Sequence, residues 1–257
     1  MKKAMERAEA APAYSAGSGS GPGTAIDSFR ADKLNVYVCS SRRQTLQASA
    51  VEVAARMRRL ISLRGLAIGL FASAPSQSEF FDDLVKAEGI EWTQVIGFHL
   101  DEHLGADEDS PQSHRHFLID RLVKRVPMAE FHGLRGEAAN PEAVCANYAA
   151  LLKSRPPDFA ALELGENGRL ASINPSLCDF KDPAMVRVFE LDDPSRRAIS
   201  LTIPAIMACP KLFLIAPDAA NLQAARATIE GEITTACPAS ILRTHDDARM
   251  FTIHYRS

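Results

Sequence analysis

The residues best suited to acid–base chemistry in this chain lie between Gly97 and Phe117, in the segment GFHLDEHLGADEDSPQSHRHF. Asp101, Glu102 and His103 are three consecutive titratable groups, and His114 and His116 follow within the same stretch. The run before them, EWTQVI (Glu91 to Ile96), is short, largely apolar and β-prone, which predicts a buried strand. Open α/β sheets bind ligands at the carboxyl ends of their strands, so acid–base residues just past such a strand point to chemistry. Periodicity and charge alone also describe a solvated acidic loop, and each histidine also fits a surface position.

The elements that must hold this segment alternate along the chain. Strands are expected at Leu34–Cys39, Leu66–Phe71, Phe159–Leu164, Leu212–Ala216 and Met250–Tyr255. Helical spacing covers Thr45–Leu63, Ser76–Ala87, Ser113–Val126, Pro141–Ser154 and Ala219–Glu230, the last closed by Gly231 as a C-cap. Such alternation predicts a single doubly wound, mostly parallel sheet with helices on both faces, a Rossmann-like α/β architecture. Neither an internal repeat nor a linker is visible from Ala31 to Ser257, so residues 31–257 read as one domain. Residues 1–30 are Gly/Ser/Pro-rich and too poor in apolar surface to order themselves, which predicts a disordered leader.

Two more strand-to-helix junctions can share a site with Asp101. Gly69 to Ser76 (GLFASAPS) joins a strand to a helix through small residues, with Ser73 and Ser76 as hydroxyl donors. Free backbone N–H groups and a helix N-terminus at such a junction suit a phosphate, and simple serine capping explains the same residues. Leu164 to Pro175 (LGENGRLASINP) presents Asn167, Gly168, Arg169 and Asn174 on a tight loop, which also reads as an ordinary turn with Asn-Gly chemistry.

Composition narrows the partners. Apolar residues make up 46% of the 257 and charged residues 24%, enough for a full core with an ordinary surface. A net charge of −3 gives no reason to expect a nucleic acid or a membrane surface. No apolar run is long enough to span a bilayer, and the N-terminus lacks the apolar core of a secretion signal, so a cytosolic location is expected. Five scattered cysteines form no CxxC or Cys/His spacing, so neither a disulfide framework nor a metal site is expected. No cofactor is implied, and nothing in the sequence sets the oligomeric state.

Taken together the three junctions resemble the glucosamine-6-phosphate deaminase / 6-phosphogluconolactonase superfamily, in its deaminase-like branch. Phe98 to Gly105 and Ser110 to Phe117 are similar to that branch's FNMDEYVGL…HPxSYHSFM, Leu164 to Pro175 to its GVGxDGHIAFNEP, and Gly69 to Ser76 to its GLPTGxTP. Leu222 to Gly231 resembles the helix ending in AAVEG, and the likeness runs from Leu34 to Tyr255. The resemblance implies a sugar or sugar phosphate as partner and Asp101 as the base moving a proton between sugar carbons C1 and C2. Partial burial, with Glu102 beside it, is expected to raise the pKa of that base toward neutrality.

The chain departs from the pattern where the family opens the sugar ring. The family's Asp, its His and the Glu that orients the His fall on Asn167, Arg169 and Asn174. A guanidinium does not give up its proton near neutral pH, and amides supply no carboxylate. His103, His114 and His116 are the alternative proton carriers. The family's phosphate-binding lysine falls near Asn221, and Arg169, Arg187 or Arg196 can replace its arginine. The resemblance therefore implies a divergent deaminase- or isomerase-like sugar enzyme, in which Ser73, Ser76 and Arg169 hold the substrate. Its alternatives are a non-catalytic sugar-phosphate-binding protein and a lactonase-like hydrolase.

Overall fold

The structure, a computed structural model, describes residues 25–193 and 196–253. The strands are β1 (Ala25–Ala31), β2 (Leu34–Cys39), β3 (Ala67–Phe71), β4 (Val95–His99), β5 (Asp101–His103), β6 (Glu130–His132), β7 (Phe159–Glu163), β8 (Val186–Glu190), β9 (Arg197–Leu201), β10 (Leu212–Ala216) and β11 (Ala248–Ile253). The helices are α1 (Arg42–Arg64), α2 (Ser78–Leu84), α3 (His114–Arg121), α4 (Pro141–Ser154), α5 (Ile203–Met207) and α6 (Leu222–Glu230). Eight strands form one sheet in the order β1-β2-β11-β10-β7-β3-β4-β6. Only β1 runs antiparallel to its neighbour in that sheet.

Alternation of side chains across the sheet produces two cores. In β10, Leu212, Leu214 and Ala216 enter one core while Phe213 and Ile215 enter the other. In β3, Ile68 and Leu70 face the first and Ala67 and Phe71 the second. Strands buried on both faces read as unbroken apolar runs, which is why AIGLF and LFLIA carry no polar residue. The α1, α2 and α3 helices cover one face through Leu46, Met57, Phe80, Phe81 and Leu118. On the other face lie α4, α5 and α6, through Tyr148, Leu152, Ile206 and Ile229.

A second, three-stranded antiparallel sheet, β5-β9-β8, lies on that other face. The expected single sheet is therefore accompanied by a small one. The cause is at Leu100, where the chain leaves β4 and its carbonyl accepts from Leu201 N at 3.0 Å. Asp101–His103 then pairs with β9 and is a strand, not a solvated loop.

Several boundaries move for local reasons. The strand expected at Glu91–Ile96 runs from Val95 to His99, because Trp92–Gln94 forms a single 3₁₀ turn with Trp92 buried. Helix expected from Ser76 is a 3₁₀ turn through Gln77 before α2, and helix expected to Val126 ends at Arg121. Gly231 closes α6, but with an extended backbone, not a left-handed one. A Cβ there would lie 2.6 Å from the Ala227 carbonyl, so close approach is what requires glycine. Residues 25–30 of the expected leader form most of β1, which turns into β2 through Asp32 at φ 51°. The rest of that leader and the end of the last expected strand, residues 254 and 255, lie outside the described residues. Among the described residues no helix is long and apolar enough to cross a membrane.

One tie fixes the end of β4 next to the site. The buried Tyr148 hydroxyl of α4 accepts from His99 N at 2.8 Å and lies 2.8 Å from His99 O and 2.9 Å from His132 O. It satisfies backbone groups at the point where β4 and β6 part. Tyr148→Phe leaves a buried N–H without its acceptor and should lower unfolding stability by about 1–3 kcal/mol, read from the urea midpoint.

Candidate active site

The parallel strands β7, β3 and β4 are adjacent, so their carboxyl ends deliver three loops to one place. A cavity of about 310 Å³ opens there, lined by Ala72–Ser76, Asp101, His114, Glu163, Gly165, Arg169 and Ala171. Ser73, Ser76, Asp101 and Arg169 of the expected site residues thus meet, together with His114, one of the alternative proton carriers.

Asp101 is 3% exposed. Its Oδ2 accepts from Ser172 Oγ at 2.6 Å and lies 3.3 Å from His114 Nδ1, which is also 3.1 Å from the Asp101 carbonyl. Burial opposes the charged form of this carboxyl, but His114 and Ser172 outweigh it. The pKa of Asp101 is therefore driven well below the usual carboxylate range, the reverse of the expected rise. Burial likewise opposes a charged His114, and Asp101 overturns it, lifting the imidazole to about 9. The two form an Asp⁻/His⁺ pair at neutral pH. Behind it, fully buried His99 is pushed down to about 3 by desolvation and stays neutral.

Glu102 does something other than tune Asp101. It is 0% exposed, and its Oε1 accepts from His103 N at 2.8 Å and His114 N at 3.0 Å. Its Oε2 accepts from Ser113 Oγ at 2.7 Å and Arg115 N at 2.8 Å. Both oxygens are spent on the first turn of α3, where backbone N–H groups lack intrahelical partners. Ser113, the N-cap, accepts in turn from His116 N at 3.0 Å. Glu102 therefore fixes the helix that carries His114 to the strand that carries Asp101.

The other expected residues divide. His103 turns to a different cavity, lined also by Arg196 and Arg197, and its ring lies 4.6 Å from that of His114. His116 is held by the Glu108 carbonyl at 2.9 Å. Asn167 adopts φ 54° and faces a third cavity beside Cys237, where Gly168 gives room to the Cys237 thiol. Asn174 donates to Asp192 at 2.6 Å, and Asn221 donates to the Leu164 carbonyl at 2.6 Å. Of the arginines, Arg187 is taken up by Asp182, whereas Arg169 stays at the cavity. Its guanidinium lies over Gly165, where a Cβ would come within 2.8 Å of Nε, and its Nη1 donates to Ala171 O at 2.6 Å.

Sequence reading missed Glu163 and Ser172. Glu163 is the one charged residue of the strand FAALE and stands at its cavity end, a visible signal. Its carboxyl is hydrogen-bonded by Ser76 Oγ, and burial pushes its pKa up. Ser172 gave no signal, because only the turn around Ala171, at φ 50°, aims it at Asp101. The cavity thus holds an ionised carboxylate, a protonatable carboxyl, two cations and the hydroxyls of Ser73 and Ser76. The Ser73 hydroxyl is buried without a partner. Among the described residues no group of three or more His, Cys, Asp or Glu side chains is arranged to hold a metal.

Residues 40–251 match the family model of glucosamine-6-phosphate isomerases/6-phosphogluconolactonase. A glucosamine-6-phosphate deaminase of Lactococcus lactis is 31% identical over 186 residues, spanning 68% of this chain and 79% of its own. That of Listeria innocua is 32% identical over 188 residues, spanning 68% and 80%. Among solved structures, a monomeric glucosamine-6-phosphate deaminase superposes with a TM-score of 0.77 at 21% identity, covering 86% of this chain and 97% of its own. A 6-phosphogluconolactonase from Shewanella baltica gives 0.73 at 19% identity, covering 86% and 96%. At these identities the structural likeness speaks for the fold.

The role given to Glu102 has a direct test. Glu102→Gln puts an amide nitrogen against N–H donors that cannot reverse, so it should destabilise by about 1–3 kcal/mol, nearly as much as Glu102→Ala. Urea unfolding of both variants checks this, and a near-neutral Gln variant would remove the clamp from the account.

Proposed function

The chain belongs to the glucosamine-6-phosphate isomerase/6-phosphogluconolactonase family, and from that premise we propose that it is a deaminase- or isomerase-type enzyme acting on a sugar phosphate, with Asp101 as the proton-transfer base. The observation that carries this reading is the placement of a buried, ionised Asp101 on the cavity wall with only Oδ2 engaged by Ser172 and His114. Asp101 removes the proton next to the carbonyl of the open-chain sugar and returns it to the adjacent carbon.

A carboxylate held far below the usual range is a weak base. The developing negative charge on the substrate must therefore be stabilised electrostatically, and the His114 and Arg169 cations at the same cavity supply that. Arg169, the Ser73 hydroxyl and the small-residue loop from Ala72 to Ser76 hold the anionic end of the substrate. The reading of a non-catalytic sugar-phosphate-binding protein has its own support. Arg169 occupies a position where a proton-carrying histidine is expected, and Asn167 and Asn174 face elsewhere.

Solvent-deuterium exchange into hexosamine and hexose 6-phosphates separates the two. Wild-type protein should wash label into the carbon next to the carbonyl, and Asp101→Asn should slow this by about 10²–10⁴-fold. Binding by the wild type without exchange or turnover would instead establish the binding protein. Arg169→Met should raise KM for the phosphorylated sugar by roughly 10- to 100-fold, the value of a hydrogen bond to a charged group.

A further inference from the structure

We infer that Glu163 is a second catalytic residue of this cavity, exchanging a proton with the substrate's oxygens while Asp101 exchanges one with its carbons; this rests on the sugar-phosphate reading of the site. Moving a carbonyl along a sugar requires two separate proton transfers. One is between carbons C2 and C1, and the other is between the oxygen or nitrogen on C2 and the oxygen on C1. A single carboxylate on one wall serves the first. The second needs a group on the same cavity that can both give and accept near neutral pH.

Glu163 is the only other carboxyl among the residues lining the cavity. It stands at the end of β7, where the strand order places β3 between it and the β4 end that leads to Asp101. Ser76 Oγ donates to its Oε1, which fixes the side chain toward the loop that would hold the substrate. The remaining titratable lining groups fit the task poorly. His114 Nδ1 is committed to Asp101, and with a pKa of about 9 the ring does not take up a proton near neutrality. Arg169 does not release one. Burial raises the pKa of Glu163 while His114 and Ser172 lower that of Asp101, so the two cavity carboxyls are driven apart.

The charged groups around Glu163 set the balance. Asp101 and Asp218 raise its pKa, and Arg169 lowers it. Arg42 holds this surround in place by donating to Asp218 at 2.8 Å and to the Ser76 carbonyl at 2.7 Å, and it also pairs with Glu79.

The step balances without another reactant. Asp101 takes the proton from C2, the C2–H electrons form the C1–C2 double bond, and the carbonyl electrons move to the C1 oxygen. That oxygen takes the Glu163 proton. The Glu163 carboxylate then takes the proton from the heteroatom on C2, whose electrons form the new C2 double bond. The C1–C2 electrons recover the proton from Asp101 at C1, and both side chains return to their starting states.

The test is the pH profile of turnover of hexosamine and hexose 6-phosphates by the full chain. Wild type should show two descending limbs, the upper near pH 9 from His114 and a lower one from Glu163. Glu163→Gln, which keeps the side-chain shape, should lower kcat at least 100-fold with KM within about three-fold. It should also abolish the lower limb. Glu163→Asp should restore part of the activity and the limb. Should Glu163→Gln fail to fold, Ser76→Ala gives the same answer. Removing a hydrogen bond that lowers the Glu163 pKa moves the lower limb to higher pH, which a merely structural tie would not do. An active wild type whose profile is unchanged by Glu163→Gln, or by Ser76→Ala, overturns the assignment of Glu163 alone. A wild type with neither turnover nor exchange, and no effect of Asp101→Asn, overturns the sugar-phosphate reading and this assignment with it.

Discussion

The carboxylate of Glu102 is the constraint on which the site depends. Four donors, three of them backbone N–H groups, converge on its two oxygens and tie the first turn of α3 to β5. That tie delivers His114 to Asp101 at 3.3 Å. A buried carboxylate whose two oxygens accept three bonds from the start of α3 and one from β5 is a rigid joint, because a donor that lost it would have no water to take its place. The neighbouring Asp101 carboxylate caps none of those backbone N–H groups and meets the His114 side chain instead. Two adjacent acidic residues thus divide the work, one anchoring the helix and the other facing the cavity.

From that joint the electrostatics of the cavity follow. His114, held as a cation, keeps Asp101 ionised against the burial that opposes its charge. Glu163 has no comparable partner. Arg169 acts on it more weakly than burial does, so its pKa moves the other way. Two carboxyls on one cavity, driven in opposite directions by their surroundings, is the arrangement that acid–base chemistry at neutral pH requires. The parallel sheet makes this possible by bringing β7, β3 and β4 to a common edge.

Much of this was legible in the sequence, and the limits have physical causes. Continuous apolar runs such as LFLIA announce strands buried on both faces, and the alternation of such runs with helical spacing announces the doubly wound sheet. The Asp-Glu pair marked the site because titratable groups beyond a buried strand stand out. Its division of labour was invisible, since adjacent carboxylates look alike until the register of β5 against β9 decides which one turns inward. The three-residue strands β5 and β6 carry too few residues for any period to declare itself. Ser172 reached Asp101 only through a turn with a left-handed alanine, which no pattern predicts. Asn167 and Asn174, placed beside Arg169 by the resemblance to the family's motif, face other surroundings, one a separate cavity and the other Asp192.

A clamped, protonated His114 keeps Asp101 ionised at the cavity. The most direct measurement is a titration of the His114 imidazole by heteronuclear NMR in the full chain. The ring should stay protonated through neutral pH and titrate at about 9. A His114 that titrates at or below its ordinary value of 6.5 would contradict this.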